Sequence, residues 1–333
     1  MRKEPYAIVF SGGGALGSWE VGCYKAIRSY HKDQPPAVVT GASAGALNAT
    51  GVCAGMSAQE LEGLWANLRP SDVCRFRYGW RRLGEIAVRA LLKGSPLKGI
   101  QSFLESNNSL FDTSSLHGTL RRILAAYNQP FLQSQIRFAI SLTDLASGSR
   151  QLYYKLPPGD QFPEKARVGW MANAWQQIHS LEMLIQALMG TTALPMLFPP
   201  FEGRFDGGVL LNQPITPAIA LGALNLYVLI PSARALGRTE NMRFISSTLI
   251  STWLSASLIS QIDAVKLRNQ IREMTKDPKI RLCVIRPALD LESDFGVGLL
   301  SFGDKVSQLV ERGEREARER LDLFDADNEV TWY

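Results

Sequence analysis

Histidine is scarce in this chain: His31, His117 and His179 are the only three among 333 residues. Cysteine is nearly as sparse. Cys23, Cys53, Cys74 and Cys283 show neither the pairing of a disulfide framework nor the spacing of a metal site. That pattern predicts buried free thiols in a reducing compartment. Charge of one sign is not in excess either, since 36 Lys and Arg against 31 Asp and Glu leave a net charge of +5. So mild a balance gives no reason to infer a nucleic-acid partner, and it suits an anionic membrane or a phosphate-bearing substrate equally well. The N-terminus, Met1-Arg2-Lys3-Glu4-Pro5, lacks the apolar segment of a signal peptide, so a cytoplasmic location is expected. Internal repeats, low-complexity tracts and interdomain linkers are missing too.

One long uncharged run needs weighing as a membrane span. Phe244 to Ile262 is about long enough to cross a bilayer, but eight Ser and Thr residues fall within it. Ile245, Leu249, Trp253, Ala256 and Ile259 recur at helical spacing and give one apolar and one hydroxyl-bearing face. The expectation is a helix buried in the domain.

What is present is ordinary globular material, 46% hydrophobic and 20% charged, with one local pattern that organises the rest. Val38-Val39-Thr40 reads as the end of a buried strand, and Gly41-Ala42-Ser43-Ala44-Gly45 follows it at once. Ala46-Leu47-Asn48-Ala49 then favours a helix. Strand, sharp turn and helix in that order are the setting in which Gly-x-Ser-x-Gly presents a nucleophile. Gly41 and Gly45 permit the tight backbone, and Ser43 stands at the tip.

Upstream, Tyr6-Ala7-Ile8-Val9-Phe10 is a continuously apolar strand of the parallel-sheet kind. Ser11-Gly12-Gly13-Gly14-Ala15-Leu16-Gly17 joins it to a helix with Trp19, Cys23, Ile27 and Tyr30 on one face. Gly12, Gly14 and Gly17 satisfy the dinucleotide-binding pattern literally. That use requires an acidic residue at the end of the second strand, where Thr40-Gly41 stands instead. The same loop can instead point bare N–H groups at one oxygen, which is what an oxyanion hole needs. Both β–α turns come from the first two strands of one sheet and open on the same edge.

Further along, Ser57-Ala58-Gln59-Glu60 is a capping box. Arg75-Phe76-Arg77-Tyr78-Gly79-Trp80-Arg81-Arg82 interleaves arginines with aromatics, and reads either as a solvated segment or as a patch for anionic headgroups. Helices are expected over residues 113–127, 181–189 and 305–323, and strands over 136–142, 150–154, 226–230 and 280–285. Glu311–Arg315, Glu314–Arg318 and Glu316–Arg320 fall at i,i+4 on the last helix and read as a solvated face.

Ser43 needs a base. In an α/β-hydrolase the order is Ser, then Asp or Glu, then His, and no histidine follows the best carboxylate here. His179 is a candidate by position but follows no strand end. A carboxylate serves alone where burial raises its basicity. Asp206 fits, flanked by Phe205 and by Gly207 and Gly208, which let another backbone come close; the same residues also read as a plain turn.

Together Gly12-Gly13-Gly14-Ala15-Leu16-Gly17, Gly41-Ala42-Ser43-Ala44-Gly45 and Asp206-Gly207-Gly208 resemble, in order, the three signature blocks of the patatin-like phospholipases. Thr192-Ala193-Leu194-Pro195 through Phe198-Pro199-Pro200 is similar to the segment before that family's Asp-Gly-Gly. The likeness covers about residues 6–220, and Leu299 through Gly313 resembles the tail of bacterial members. It implies an α/β fold, a three-layer α/β/α sandwich around a mostly parallel sheet. Residues 1–333 would then form a single domain, with residues 221–325 packed on the signature-bearing core. It implies a catalytic Ser43–Asp206 dyad without histidine, an oxyanion hole from Gly12, Gly13 and Gly14, and no cofactor or metal. The implied substrate is a phospholipid or lysophospholipid. With the location expected from the N-terminus and the patch read from Arg75–Arg82, the expectation is a cytoplasmic protein in peripheral contact with an anionic membrane. Two other readings share these residues: a lipid-binding scaffold of the same fold with little turnover, and a dinucleotide-binding protein.

Overall fold

A computed structural model describes residues 4–77, 109–195, 197–232, 278–288 and 305–326, with Val265, Asn269, Leu291 and Gly303. The helix expected over Phe244 to Ile262 and the aromatic-basic stretch beyond Arg77 lie outside the described residues.

The apolar runs assemble into an eight-stranded sheet. At its centre β1 (Tyr6–Phe10) lies between β2 (Val38–Gly41) and β9 (Asn225–Leu229). β10 (Arg281–Ile285) continues the parallel array beyond β9, and β5 (Arg137–Asp144) continues it beyond β2. β6 (Ser149–Lys155) returns antiparallel to β5, and β7 (Trp175–Gln177) runs alongside β6. β8 (Arg204–Asp206) lies antiparallel against the carboxyl end of β5. A separate antiparallel pair joins β3 (Arg75–Phe76) to β4 (Phe111–Asp112).

Strand alternation assigns the two faces. Tyr6, Ile8 and Phe10 of β1 enter one core with α1 (Gly17–Tyr30) and α2 (Ala44–Cys53). Ala7 and Val9 enter the other. The first face also takes α3 (Ala58–Asn67), while Val73 of α4 (Pro70–Val73) enters a separate small cluster with Cys74 and Phe198; α5 (Ser114–Leu124), α6 (Asn128–Gln133) and α7 (Leu181–Thr191) join the first face too. The short α8 (Gly208–Leu211) follows Asp206, and α9 (Ile215–Ala220) covers the second face through Ile215, Ala218 and Ile219. Helices therefore flank the sheet on both sides, the three-layer α/β/α sandwich expected from the sequence. The capping box forms as read, with the Ser57 hydroxyl accepting from the Glu60 N–H at 3.2 Å. All four cysteines are buried free thiols.

The last helix, α10 (Val306–Ala326), departs from its expected role as a solvated face. Glu314 does bond Arg318 at 2.6 Å, but it also pairs with Lys25 of α1 at 2.6 Å. Glu316 reaches back to Arg312 at 3.0 Å instead of forward to Arg320, and it accepts the Trp19 Nε1–H at 2.8 Å. The physical reason is packing. α10 lies directly on α1, so its acidic side chains turn toward α1 donors as well as water. Among the described residues no helix is long and apolar enough to cross a membrane.

Candidate active site

The register of the sheet decides which residues meet. Gly41, the last residue of β2, pairs with Ile140 of β5. Asp206, the last residue of β8, pairs with Leu142, two places further along β5. β8 thus continues the line of β2 past its carboxyl end, and Asp206 arrives where the chain turns at Ser43.

Ser43 holds φ 51° and ψ −128°, a conformation that costs a non-glycine residue about 1–3 kcal/mol. Its neighbours show why they are small. A Cβ on Gly41 would lie 2.4 Å from Gly45 O, and one on Gly45 would lie 2.5 Å from Phe10 O. Ser43 is the N-cap of α2, yet its side chain makes no capping bond and so stays available. Its own N–H donates to Thr191 Oγ1 at 3.0 Å, and the Thr191 hydroxyl donates to Ser141 O at 2.7 Å.

Asp206 is 2% exposed. Burial pushes its carboxyl up to about 7, while the nearby Ser43 side chain and a hydrogen bond from the Gly208 N–H favour the charged form and pull the other way. The latter reaches Oδ1 at 2.7 Å. Gly207 is glycine by necessity, since a Cβ there would sit 1.9 Å from Ser141 O.

The glycine loop closes the third side. Gly12 donates its N–H to Asn212 Oδ1 at 3.0 Å, and a Cβ on Gly12 would fall 2.9 Å from Ser43 Cβ. Among the described residues no acceptor takes the N–H of Gly13 or Gly14. Of the three amides expected to face an oxyanion, then, one is already engaged and two are free. At the foot of the loop the Ser11 N–H donates to Glu20 Oε1 at 2.7 Å. The Asn48 Nδ2 group donates to Glu20 Oε2 at 3.0 Å, and Asn48 Oδ1 accepts the Trp65 indole N–H at 2.8 Å. Glu20 is wholly buried, which pushes its carboxyl well above the usual carboxylate range.

The histidines lie elsewhere. His31 is buried against Tyr6 at the amino end of β1 and bonds the Tyr227 hydroxyl at 2.9 Å. His117 stands 3.9 Å from Glu182, and His179 is exposed in the loop before α7. Among the described residues no group of three or more His, Cys, Asp or Glu side chains converges as metal ligands would.

Three residues of this arrangement have no local signature in the sequence: Thr191, Asn212 and Glu20. A polar residue within an apolar stretch is the one available hint. Thr191 closes the apolar helix α7, and Glu20 lies on the buried side of α1.

Residues 8–219 match the protein family described as patatin-like phospholipase. Lysophospholipase NTE1 of Mycosarcoma maydis is 26% identical over an alignment of 168 residues that covers 46% of this chain and 9% of that protein. Two solved structures are also similar. VipD of Legionella pneumophila aligns with 97% of this chain and 67% of its own, at 16% identity and a TM-score of 0.44. The ExoU–SpcU complex of the Pseudomonas aeruginosa type III secretion system aligns with 97% of this chain and 53% of its own, at 16% identity and a TM-score of 0.40.

Proposed function

This chain belongs to the patatin-like phospholipase family, and from that premise we propose that it is a serine acyl hydrolase using Ser43 and Asp206 as a dyad. Ser43 Oγ attacks the ester carbonyl carbon as its proton passes to Asp206. The free N–H groups of Gly13 and Gly14 hold the oxyanion, helped by the positive end of the helix that follows. Gly12 serves by absence of a side chain, letting Asn212 and Ser43 close on the loop. When the tetrahedral species collapses, the C–O bond to the alcohol breaks and Asp206 returns the proton to the departing oxygen. Water then attacks the acyl-serine with Asp206 as base, releasing the fatty acid and restoring the hydroxyl.

The observation that carries this reading is the sheet register, which brings the buried Asp206, its carboxyl pushed up to about 7 by burial, to the turn where Ser43 stands. A base is most effective when its pKa lies near the working pH, and an ordinary aspartate is too weak. The substrate class, phospholipid or lysophospholipid, rests on the family and on the name of the NTE1 relative. The proposal treats the chain as one domain, because β9 and β10 extend the sheet that carries the signature residues.

A fluorophosphonate probe tests the chemistry. Covalent labelling of the intact protein, lost in Ser43→Ala and accompanied by fatty-acid release from phospholipid or lysophospholipid, is the expected result. Intact protein that takes no label would point to a lipid-binding scaffold instead.

A further inference from the structure

Five large apolar side chains stand exposed among the described residues, and four are tied to segments around Asp206. Phe76 is 46% exposed, Leu145 51%, Val168 49% and Trp170 39%. Phe76 lies on the β3–β4 pair, which is fastened by the Phe111 N–H to Leu197 O at 2.9 Å. That places it beside the loop whose Ala193 O accepts the Asp206 N–H at 3.0 Å. Leu145 follows the carboxyl end of β5 and donates its N–H to Gly203 O at 2.9 Å, just before β8. Trp170 lies under the Arg150 guanidinium at 4.9 Å, and Arg150 Nε donates to Leu210 O, just after the Asp-Gly-Gly turn, at 3.1 Å. Val168 precedes Trp170 by two residues. The fifth, Leu323, belongs to α10, which packs on α1, α3 and β10 instead.

Positive charge accompanies the apolar residues. Arg75 and Arg77 flank Phe76, and all three are exposed. The nearby carboxylate, Asp112, lies opposite Arg75, interacts electrostatically with both arginines and accepts the Ser114 N–H at 2.8 Å, so the two positive charges outnumber it. Exposed Phe, Leu and Val, an arginine-backed Trp and exposed arginines make a surface that immerses shallowly in acyl chains while pairing with lipid phosphates.

We propose that this rim docks the protein on an anionic phospholipid bilayer, with the Ser43–Asp206 cleft facing the lipid. The inference deepens the proposed function and rests on it: a dyad acting on membrane esters must be held at the interface where they lie.

The test pairs vesicle binding with hydrolysis of a water-soluble short-chain nitrophenyl ester, which needs no interface. Phe76→Ser, Leu145→Ser and Trp170→Ser combined should weaken co-sedimentation with vesicles of equal phosphatidylcholine and phosphatidylglycerol about tenfold. The melting temperature and soluble-ester turnover should stay unchanged. Arg75→Gln with Arg77→Gln should abolish the preference over pure phosphatidylcholine vesicles, and Leu323→Ser should change nothing. Undiminished vesicle binding by the triple variant would overturn the proposal. So would a dimer of the parent chain that the same substitutions dissolve, since the rim would then be a contact between copies. Vesicle binding through the rim without hydrolysis of any ester would instead overturn the serine hydrolase reading and leave the docking surface standing.

Discussion

Asn212 Oδ1 accepts the N–H of Gly12 at 3.0 Å, joining the glycine loop to the segment just after the Asp-Gly-Gly turn across 200 residues of sequence. The bond fixes the loop against Ser43 and consumes one of its donors. Asn212→Ala would leave the Gly12 amide without its acceptor and let the loop shift relative to the dyad. Leaving a part-buried donor of this kind without its acceptor costs about 1–3 kcal/mol. The expected result is a kcat lowered about tenfold or more on soluble ester with KM little changed, measured by steady-state kinetics. An unaltered kcat would show that the loop holds its place without Asn212.

Asp206 makes activity and stability respond to pH in opposite ways. As a base it must be ionised, so kcat/KM should fall tenfold per unit as pH drops below about 7. Stability runs the other way. The folded carboxyl holds its proton up to about 7, whereas the unfolded one releases it near 3.8. Between those values the folded state binds more protons, and stability declines as pH rises. The decline amounts to at most about 4 kcal/mol. Asp206→Asn removes the buried charge and still offers Oδ1 to the Gly208 N–H. It should abolish turnover and melt above the parent at about pH 8, with the gap closing toward pH 4. Calorimetry across that range measures it.

The parts of this site legible in the sequence are those where small size is the message. Gly41, Gly45, Gly12 and Gly207 each sit where a Cβ would lie within 3 Å of another atom, so the chain writes them as glycine. Asp206 was legible because it stands beside two such glycines. Thr191 and Asn212 act through bonds to residues 148 and 200 positions away, and no local pattern encodes such partners. The last helix failed for a related reason. Its i,i+4 charges look solvated until α1 is laid against it, and Glu316 then finds the Trp19 indole.

Glu20 carries a prediction of its own. Glu20→Ala would strand the Ser11 N–H and the Asn48 amide in the core, costing about 3 kcal/mol. Glu20→Gln keeps an oxygen for Ser11 but turns an amide N–H2 toward the Asn48 donor. Asn48 cannot flip to oblige, because its Oδ1 holds the Trp65 indole and its Nδ2 also serves Gly17 O. The glutamine variant should therefore be less stable than the parent and more stable than the alanine one. Denaturant melts rank the three, and fluorophosphonate labelling rates should follow the same order because Ser11 anchors the glycine loop.

Glycine to alanine inside a helix normally gains about 1 kcal/mol from propensity alone. Gly63 of α3 and Gly118 of α5 should behave that way, for a Cβ on either meets nothing within 4 Å. Gly22 of α1 should reverse the sign. A Cβ there would lie 1.9 Å from Val310 O, and one on Gly313 would lie 2.0 Å from Trp19 O. The backbones of α1 and α10 touch at these glycines, so an added methyl must force the helices apart. Overpacking of that order costs about 3 kcal/mol, well beyond the propensity gain. Gly22→Ala should thus lower the denaturation midpoint while Gly63→Ala and Gly118→Ala raise it. Because α1 begins where the glycine loop ends, Gly22→Ala should also slow ester turnover at temperatures where it remains folded. A stable and fully active Gly22→Ala protein would mean that the two helices have room to separate without moving the loop.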